Sequence, residues 1–263
     1  MADGYDPDFL TVRVPLPASA LDALELTYPH FTVLLDPGRR LAAVTAVNID
    51  GALLRELPRS GDWRLDPRAP ESAQTGPEVY ARNDLDRGHL VRRRDPGWGE
   101  NAAGAMEATF FYPNAAPQAA GFNQSKELWL GLEDHVLGYA ETTDQRISVF
   151  TAPVLGEQDP PYRGIRIPLR FWKIAAWAGQ EDLVAAGFVL DQGELVDTRD
   201  GLLSAPPLGA FRTFQVPVVD IAAMTGVDLG ILSDADVLSA PAARGAGWRM
   251  LQTHADVILD QPV

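Results

Sequence analysis

Asp86-Arg87-Gly88-His89 is the stretch around which the rest of this sequence can be organised. Side chains two apart on an extended strand face the same way, so Arg87 and His89 share one side. An ordinary imidazole titrates near ~6.5, which leaves His89 neutral and able to take a proton from water at neutral pH. Arg87 then sets a permanent cation where a five-coordinate phosphorus would gather negative charge. Downstream come the amides of Asn114 and Asn123 and the carboxylate of Glu133. Such a set suits metal-assisted attack on a phosphodiester.

Further motifs follow in order. Asn114-Ala115-Ala116-Pro117-Gln118, Phe122-Asn123-Gln124 and Trp129-Leu130-Gly131-Leu132-Glu133 come first, then Val149-Phe150-Thr151-Ala152-Pro153-Val154 and Ile167-Pro168-Leu169-Arg170-Phe171-Trp172-Lys173. Together with the first tetrapeptide they resemble the DNA/RNA non-specific endonuclease family, with Ala152 where that family usually has Gly. About residues 30–235 are covered.

The resemblance implies an α+β chain with the ββα-metal nuclease fold, a mainly antiparallel central sheet flanked by helices. It implies a Mg²⁺-dependent endonuclease cutting DNA and RNA to leave 5′-phosphate ends, with Mn²⁺ able to substitute. His89 would be the general base, Asn123 the metal ligand, Asn114 a supporting amide near the scissile phosphate, and Glu133 the acid that orients metal water. The interval from Asn123 to Glu133 is longer than usual in the family, so Glu127 stands as the alternative acid. Trp63 and Asp66-Pro67 match the segment in which the family carries a substrate-facing arginine, which here would be Arg59 or Arg64, and Arg92 and Arg93 would contact backbone phosphates. Two other functions stay open: a nucleic-acid-binding or regulatory module that has lost turnover, and a phosphodiesterase for small nucleotides or phospholipids.

Composition sets the limits. With 263 residues, 46% hydrophobic and 22% charged, the chain can bury a full core and is not built for extended disorder. The absence of cysteine excludes disulfides, thiolate zinc sites and cysteine nucleophiles. A net charge of −14 sits poorly with a phosphate backbone as partner. Local charge differs, because residues 82–94 hold five arginines against two aspartates. No apolar run of about 18 residues predicts a membrane span, and the N-terminus has neither the basic start nor the apolar run of a secretory signal. The expectation is a cytoplasmic location, hence an inhibitor or activating partner protein to restrain a nuclease, with a homodimer as a further expectation.

Along the chain, residues 1–28 read as an extension whose only helical character lies at 18–26, and residues 29–263 as one domain. The β-rich runs 31–35 and 41–49 flank Asp36-Pro37-Gly38, a turn signal, and predict a hairpin that 51–57 would extend into a meander. Residues 58–80, rich in Arg, Pro and Gly, predict a long ordered loop. Strands are predicted at 88–93, 146–150, 165–177, 188–190 and 211–218, and helices at 102–108, 126–139 and from 221 to Gly226. His30, His135 and His254 are read as structural.

Overall fold

The Asp36-Pro37-Gly38 turn forms as its chemistry predicts: the Asp36 Oδ1 atom accepts from the Gly38 and Arg39 amides at 2.8 and 3.2 Å. The protein is described by a computed structural model for residues 3–18, 22–119, 138, 140–141, 143–179, 182–193, 196, 212–239, 247–253 and 256–259. Around that turn, β2 (Phe31–Asp36) pairs with β3 (Leu41–Asp50), and β1 (Leu24–Tyr28) adds to the other edge of β2. Three antiparallel strands thus precede the Asp-Arg-Gly-His motif, but the third is not the predicted one. Residues 51–53 form a 3₁₀ turn instead. Leu24–Tyr28, within or beside the stretch read as helical, is drawn into the sheet by pairing along β2.

Next come helix α1 (Pro77–Tyr80), β4 (Leu85–His89), helix α2 (Ala102–Ala108) and β5 (Ala115–Ala119). The predicted 88–93 strand therefore lies earlier and ends at His89. β6 (Arg146–Val154), the short pair β7 (Pro161–Tyr162) and β8 (Ile165–Arg166), β9 (Arg170–Ala178) and β10 (Leu183–Asp191) follow. Pro168 lies in the break that divides the predicted 165–177 strand into β8 and β9. β11 (Arg212–Val216), helix α3 (Val218–Thr225), helix α4 (Ile231–Asp234) and β12 (Arg249–Leu251) complete the described elements. Gly226 ends α3 in the left-handed conformation, as its position after the helix predicts.

The large sheet is antiparallel in the order β1-β2-β3-β6-β9-β10-β11-β12. Both faces are covered, which is why every residue of β3 is buried. On one face, Val47, Phe171, Ala175, Trp177 and Phe188 pack with Leu90, Val91 and Ala116 of the motif region. The other face, with Val44, Phe150, Trp172 and Ile174, is covered by Phe9, Leu10 and Val14 together with Val218 and Ile221 of α3. The first residues are strapped there by hydrogen bonds from the Gly4 amide to the Tyr28 carbonyl (2.9 Å) and from the Asp6 amide to Asn48 Oδ1 (2.7 Å). What reads as an extension in the sequence is a cover for the sheet.

Candidate active site

β4 and β5 form a separate antiparallel pair, with Arg87 opposite Pro117, Gly88 opposite Ala116 and His89 opposite Ala115. Gln192, fully buried, fastens this pair to the end of the large sheet. Its amide donates to the carbonyls of Pro117 (3.2 Å) and Pro168 (2.6 Å) and accepts from the Ala119 amide (3.1 Å). Gly88 has a steric reason: a Cβ there would lie 2.0 Å from Gln118 Cδ, so the missing side chain lets the Gln118 amide lie across the strand between Arg87 and His89.

His89 is wedged between two rings, Trp63 at 4.6 Å and Phe110 at 4.9 Å with nearly perpendicular planes. Trp63 comes from the predicted long loop, which is ordered by several ties. The Arg64 amide donates to the Phe110 carbonyl at 3.0 Å, and the Tyr112 amide to the Arg64 carbonyl at 2.9 Å. Gly61, at φ +121°, passes so near Phe110 that a Cβ would meet the ring at 2.4 Å. Further along, the buried Asp66 carboxylate accepts from Tyr28 Oη (2.7 Å) and from Arg68 Nη2 (2.6 Å) and Nε (3.0 Å). Burial alone would raise its pKa, but hydrogen bonds from Arg68 and Tyr28 outweigh that and hold it below the usual carboxylate range.

Nε2 of His89 is buried and has no hydrogen-bond partner among the described residues. Burial, and then the charges of Arg59, Arg92 and Arg93, push the imidazole down to about 3. The ordinary value near ~6.5 that the sequence suggests does not apply, because a low-dielectric wedge and three nearby cations all disfavour imidazolium. A ¹³C or ¹⁵N titration of His89 is expected to show no protonation between pH 8 and 5; a midpoint near ~6.5 would contradict this environment. Since the folded pKa lies below the unfolded one, the neutral ring's contribution to stability is complete above ~6.5 and is lost progressively as pH falls towards 3.

The other candidates separate by geometry. Arg87 is exposed and holds its guanidinium over the Tyr80 ring at 5.2 Å. Of the two candidate arginines on either side of Trp63, Arg64 is engaged elsewhere: it lies 4.1 Å over Phe111 and 3.4 Å from Glu107. Arg59 is exposed, and its charge acts on both His89 and Arg93. Burial, Arg59 and Arg94 lower the Arg93 pKa from its ordinary value, while its Nη1 donates to the Leu57 carbonyl at 3.3 Å. Arg92 is half-buried, its amide bonded to Asp95 Oδ2 at 3.2 Å. Arg55, Glu56, Leu57, Pro58, Arg93 and Arg94 line a groove of ≈ 460 Å³.

Asn114 is placed differently from the sequence expectation. It is fully buried, and its Nδ2 donates to the carbonyls of Val91 (2.8 Å) and Thr109 (3.0 Å) while Oδ1 accepts from the Val91 amide (2.9 Å). Both amide protons are used to clip the chain that leaves His89. Asn114 therefore holds the backbone of the site. Asn123, Glu133 and Glu127, like His135 and His254, lie outside the described residues. His30 packs 3.6 Å from Trp98, with Nδ1 bonded to the Pro96 carbonyl at 2.8 Å. Phe110 and Tyr80 are not marked by the sequence as site residues, and Gln118 stands there only as the last residue of the Asn114-Ala115-Ala116-Pro117-Gln118 motif, with no role of its own.

Residues 11–235 match the family model described as DNA/RNA non-specific endonuclease. A curated relative, the uncharacterized protein y4fB of Sinorhizobium fredii (strain NBRC 101917 / NGR234), is 40% identical over 291 residues. The match takes in 97% of this chain but only 42% of the relative, so the chain spans less than half of that protein's length. Among solved structures, the crystal structure of the EndoG/EndoGI complex, described as giving the mechanism of EndoG inhibition, superposes with a TM-score of 0.60 at 18% identity, covering 80% of this chain and 86% of that one. The likeness is one of fold, the α+β ββα-metal arrangement with its large antiparallel sheet.

Proposed function

We propose, from the premise that this chain belongs to the DNA/RNA non-specific endonuclease family, that it is a metal-dependent endonuclease acting on DNA and RNA through His89. The observation that carries this is the His89 Nε2 atom, unpaired among the described residues and near the charges of Arg59, Arg92 and Arg93, with Arg87 two residues away on the same strand. A phosphodiester drawn in by those cations offsets the positive field on His89. The imidazole then becomes a stronger base as substrate binds, and takes the proton of the attacking water. Arg87 neutralises charge that builds on the phosphoryl oxygens.

Among the described residues no three His, Asp or Glu side chains converge on one point, and the charges of Arg59, Arg92 and Arg93 near His89 disfavour a cation beside its imidazole. Asn123 would hold the ion through its amide oxygen, with Glu133 or Glu127 orienting its water, consistent with Mg²⁺ and its habit of keeping water, and with Mn²⁺ as substitute. When bound, the ion stabilises charge on the leaving 3′ oxygen. Asn114 acts by holding the turn after His89, and the contacts go to the backbone, so base identity matters little. In that the chain resembles EndoG in fold, a protein inhibitor analogous to EndoGI is a partner we also propose.

Incubation with single-stranded DNA and with RNA tests this directly. Both should be cut to fragments bearing 5′-phosphates that a ligase accepts; cleavage of one sugar only, or 3′-phosphate ends, contradicts it. Arg59→Ala should raise KM for DNA by about 3–10-fold at low salt, with a smaller change in kcat and a smaller effect at high salt. Equal falls in kcat and kcat/KM would place Arg59 in the transition state instead. A module without turnover is the second reading, favoured by the depressed imidazole. It predicts DNA binding with no cleavage under any metal.

A further inference from the structure

One aromatic pair that this chemistry leaves unused lies beneath its cation. Tyr80 ends α1 with its ring under the Arg87 guanidinium, 5.2 Å from Cζ to the ring centre. That ring stacks on Tyr112 at 6.0 Å and 18°, and Tyr112 leans on Trp63 at 5.7 Å, the same Trp63 that packs against His89. The two functional side chains of β4 therefore rest on one continuous aromatic wall.

The Tyr80 hydroxyl is buried and has no hydrogen-bond partner among the described residues. An unpaired buried hydroxyl is destabilising, so the position is not explained by hydrogen bonding. Burial raises the phenol far above its ordinary value, and the neighbouring Tyr112 adds to that, outweighing the pull of Arg87. The group stays neutral, and it meets Arg87 with its π face and not as a phenolate. Arg87, by contrast, is exposed, and the Tyr80 ring is what meets its guanidinium among the described residues, so this contact limits the rotamers of a long side chain.

We propose that Tyr80 is a positioning residue for Arg87: its ring, stacked on Tyr112, keeps the guanidinium turned to the side of the strand that His89 occupies. The inference rests on the reading of Arg87 as the cation that meets the phosphoryl group. A ring under the guanidinium restricts its orientations without engaging its N–H donors, which remain directed to an incoming anion.

A double-mutant cycle on DNA cleavage, with melting temperatures for each variant, tests it. Tyr80→Leu should lower kcat by about ten-fold while KM changes less. Tyr80→Phe, which keeps the ring, should recover most of the rate and melt above the wild type, since the unpaired hydroxyl is gone. Adding Tyr80→Leu to Arg87→Ala should cost no further rate, because there is no guanidinium left to place. If Tyr80→Leu fails to fold, Tyr80→Met supplies the ringless variant.

Independent, multiplying losses from Tyr80→Leu and Arg87→Ala overturn the inference, as does Tyr80→Phe being as slow as Tyr80→Leu, which would make the hydroxyl the acting group. Loss of rate in Arg87→Ala with none in Tyr80→Leu overturns the positioning role alone. An Arg87→Ala protein with unchanged kcat overturns the role of Arg87 itself and the inference with it.

Discussion

Replacing His89 by alanine is expected to leave a folded protein whose cleavage of DNA falls by about 10²–10⁴-fold, the usual worth of a general base. No other described histidine can substitute: His30 is buried against Trp98, with its Nδ1 held by the Pro96 carbonyl. The fold should survive because the strand that carries His89 is fixed by its neighbours, through pairing with β5 and the Gln192 ties, and not by the imidazole, whose Nε2 bonds to nothing described. Removing a neutral ring from among Arg59, Arg92 and Arg93 also relieves none of their mutual repulsion, so the arginine field around the site stays in place. KM should then move much less than kcat. Retention of more than a small part of wild-type activity at unchanged melting temperature would remove His89 from the chemistry.

Asn114→Ala should act on stability first. The substitution leaves the Val91 amide and the carbonyls of Val91 and Thr109 without the partners they have at 2.8–3.0 Å, in a site with no solvent access. Each abandoned buried group costs about 1–3 kcal/mol, so a loss of about 3–5 kcal/mol is expected, or roughly 6–20 °C in melting temperature for a domain of this size. Activity measured well below that transition should fall as well, since the clip fixes the chain immediately after His89. A variant that melts with the wild type yet cleaves slowly would return Asn114 to direct contact with substrate, as its motif implies.

Much of the sheet could be read from residue chemistry. The hairpin of β2 and β3 follows from Asp36-Pro37-Gly38 between two apolar runs, because the turn is specified locally by the Asp36 side chain. Strand β1 was not legible, since Leu-Glu-Leu with nearby Ala and Asp satisfies a helical pattern equally well, and only pairing with β2 decides the matter. The same holds for residues 51–57, where the exposed Leu53 and the 3₁₀ turn leave no partner strand to complete a meander.

At the site, the motif places Arg87 and His89 together because an i, i+2 relation on a strand is local. The titration of His89 is not local. It depends on Trp63 and Arg59 arriving from the long loop and Phe110 from beyond α2, and the sequence near His89 holds no sign of that enclosure. Asn114 shows the opposite case: the motif singles out the residue, while its two donor bonds to backbone carbonyls appear only in three dimensions.

Conversion of supercoiled plasmid to nicked and linear forms by the purified chain, with Mg²⁺ and with excess EDTA, tests the central claim most directly. The account predicts nicking in Mg²⁺, none in EDTA, and recovery when Mg²⁺ or Mn²⁺ is restored. Cleavage that persists in EDTA would contradict the metal-dependent chemistry, and plasmid that is bound but never nicked in either metal would contradict the enzyme.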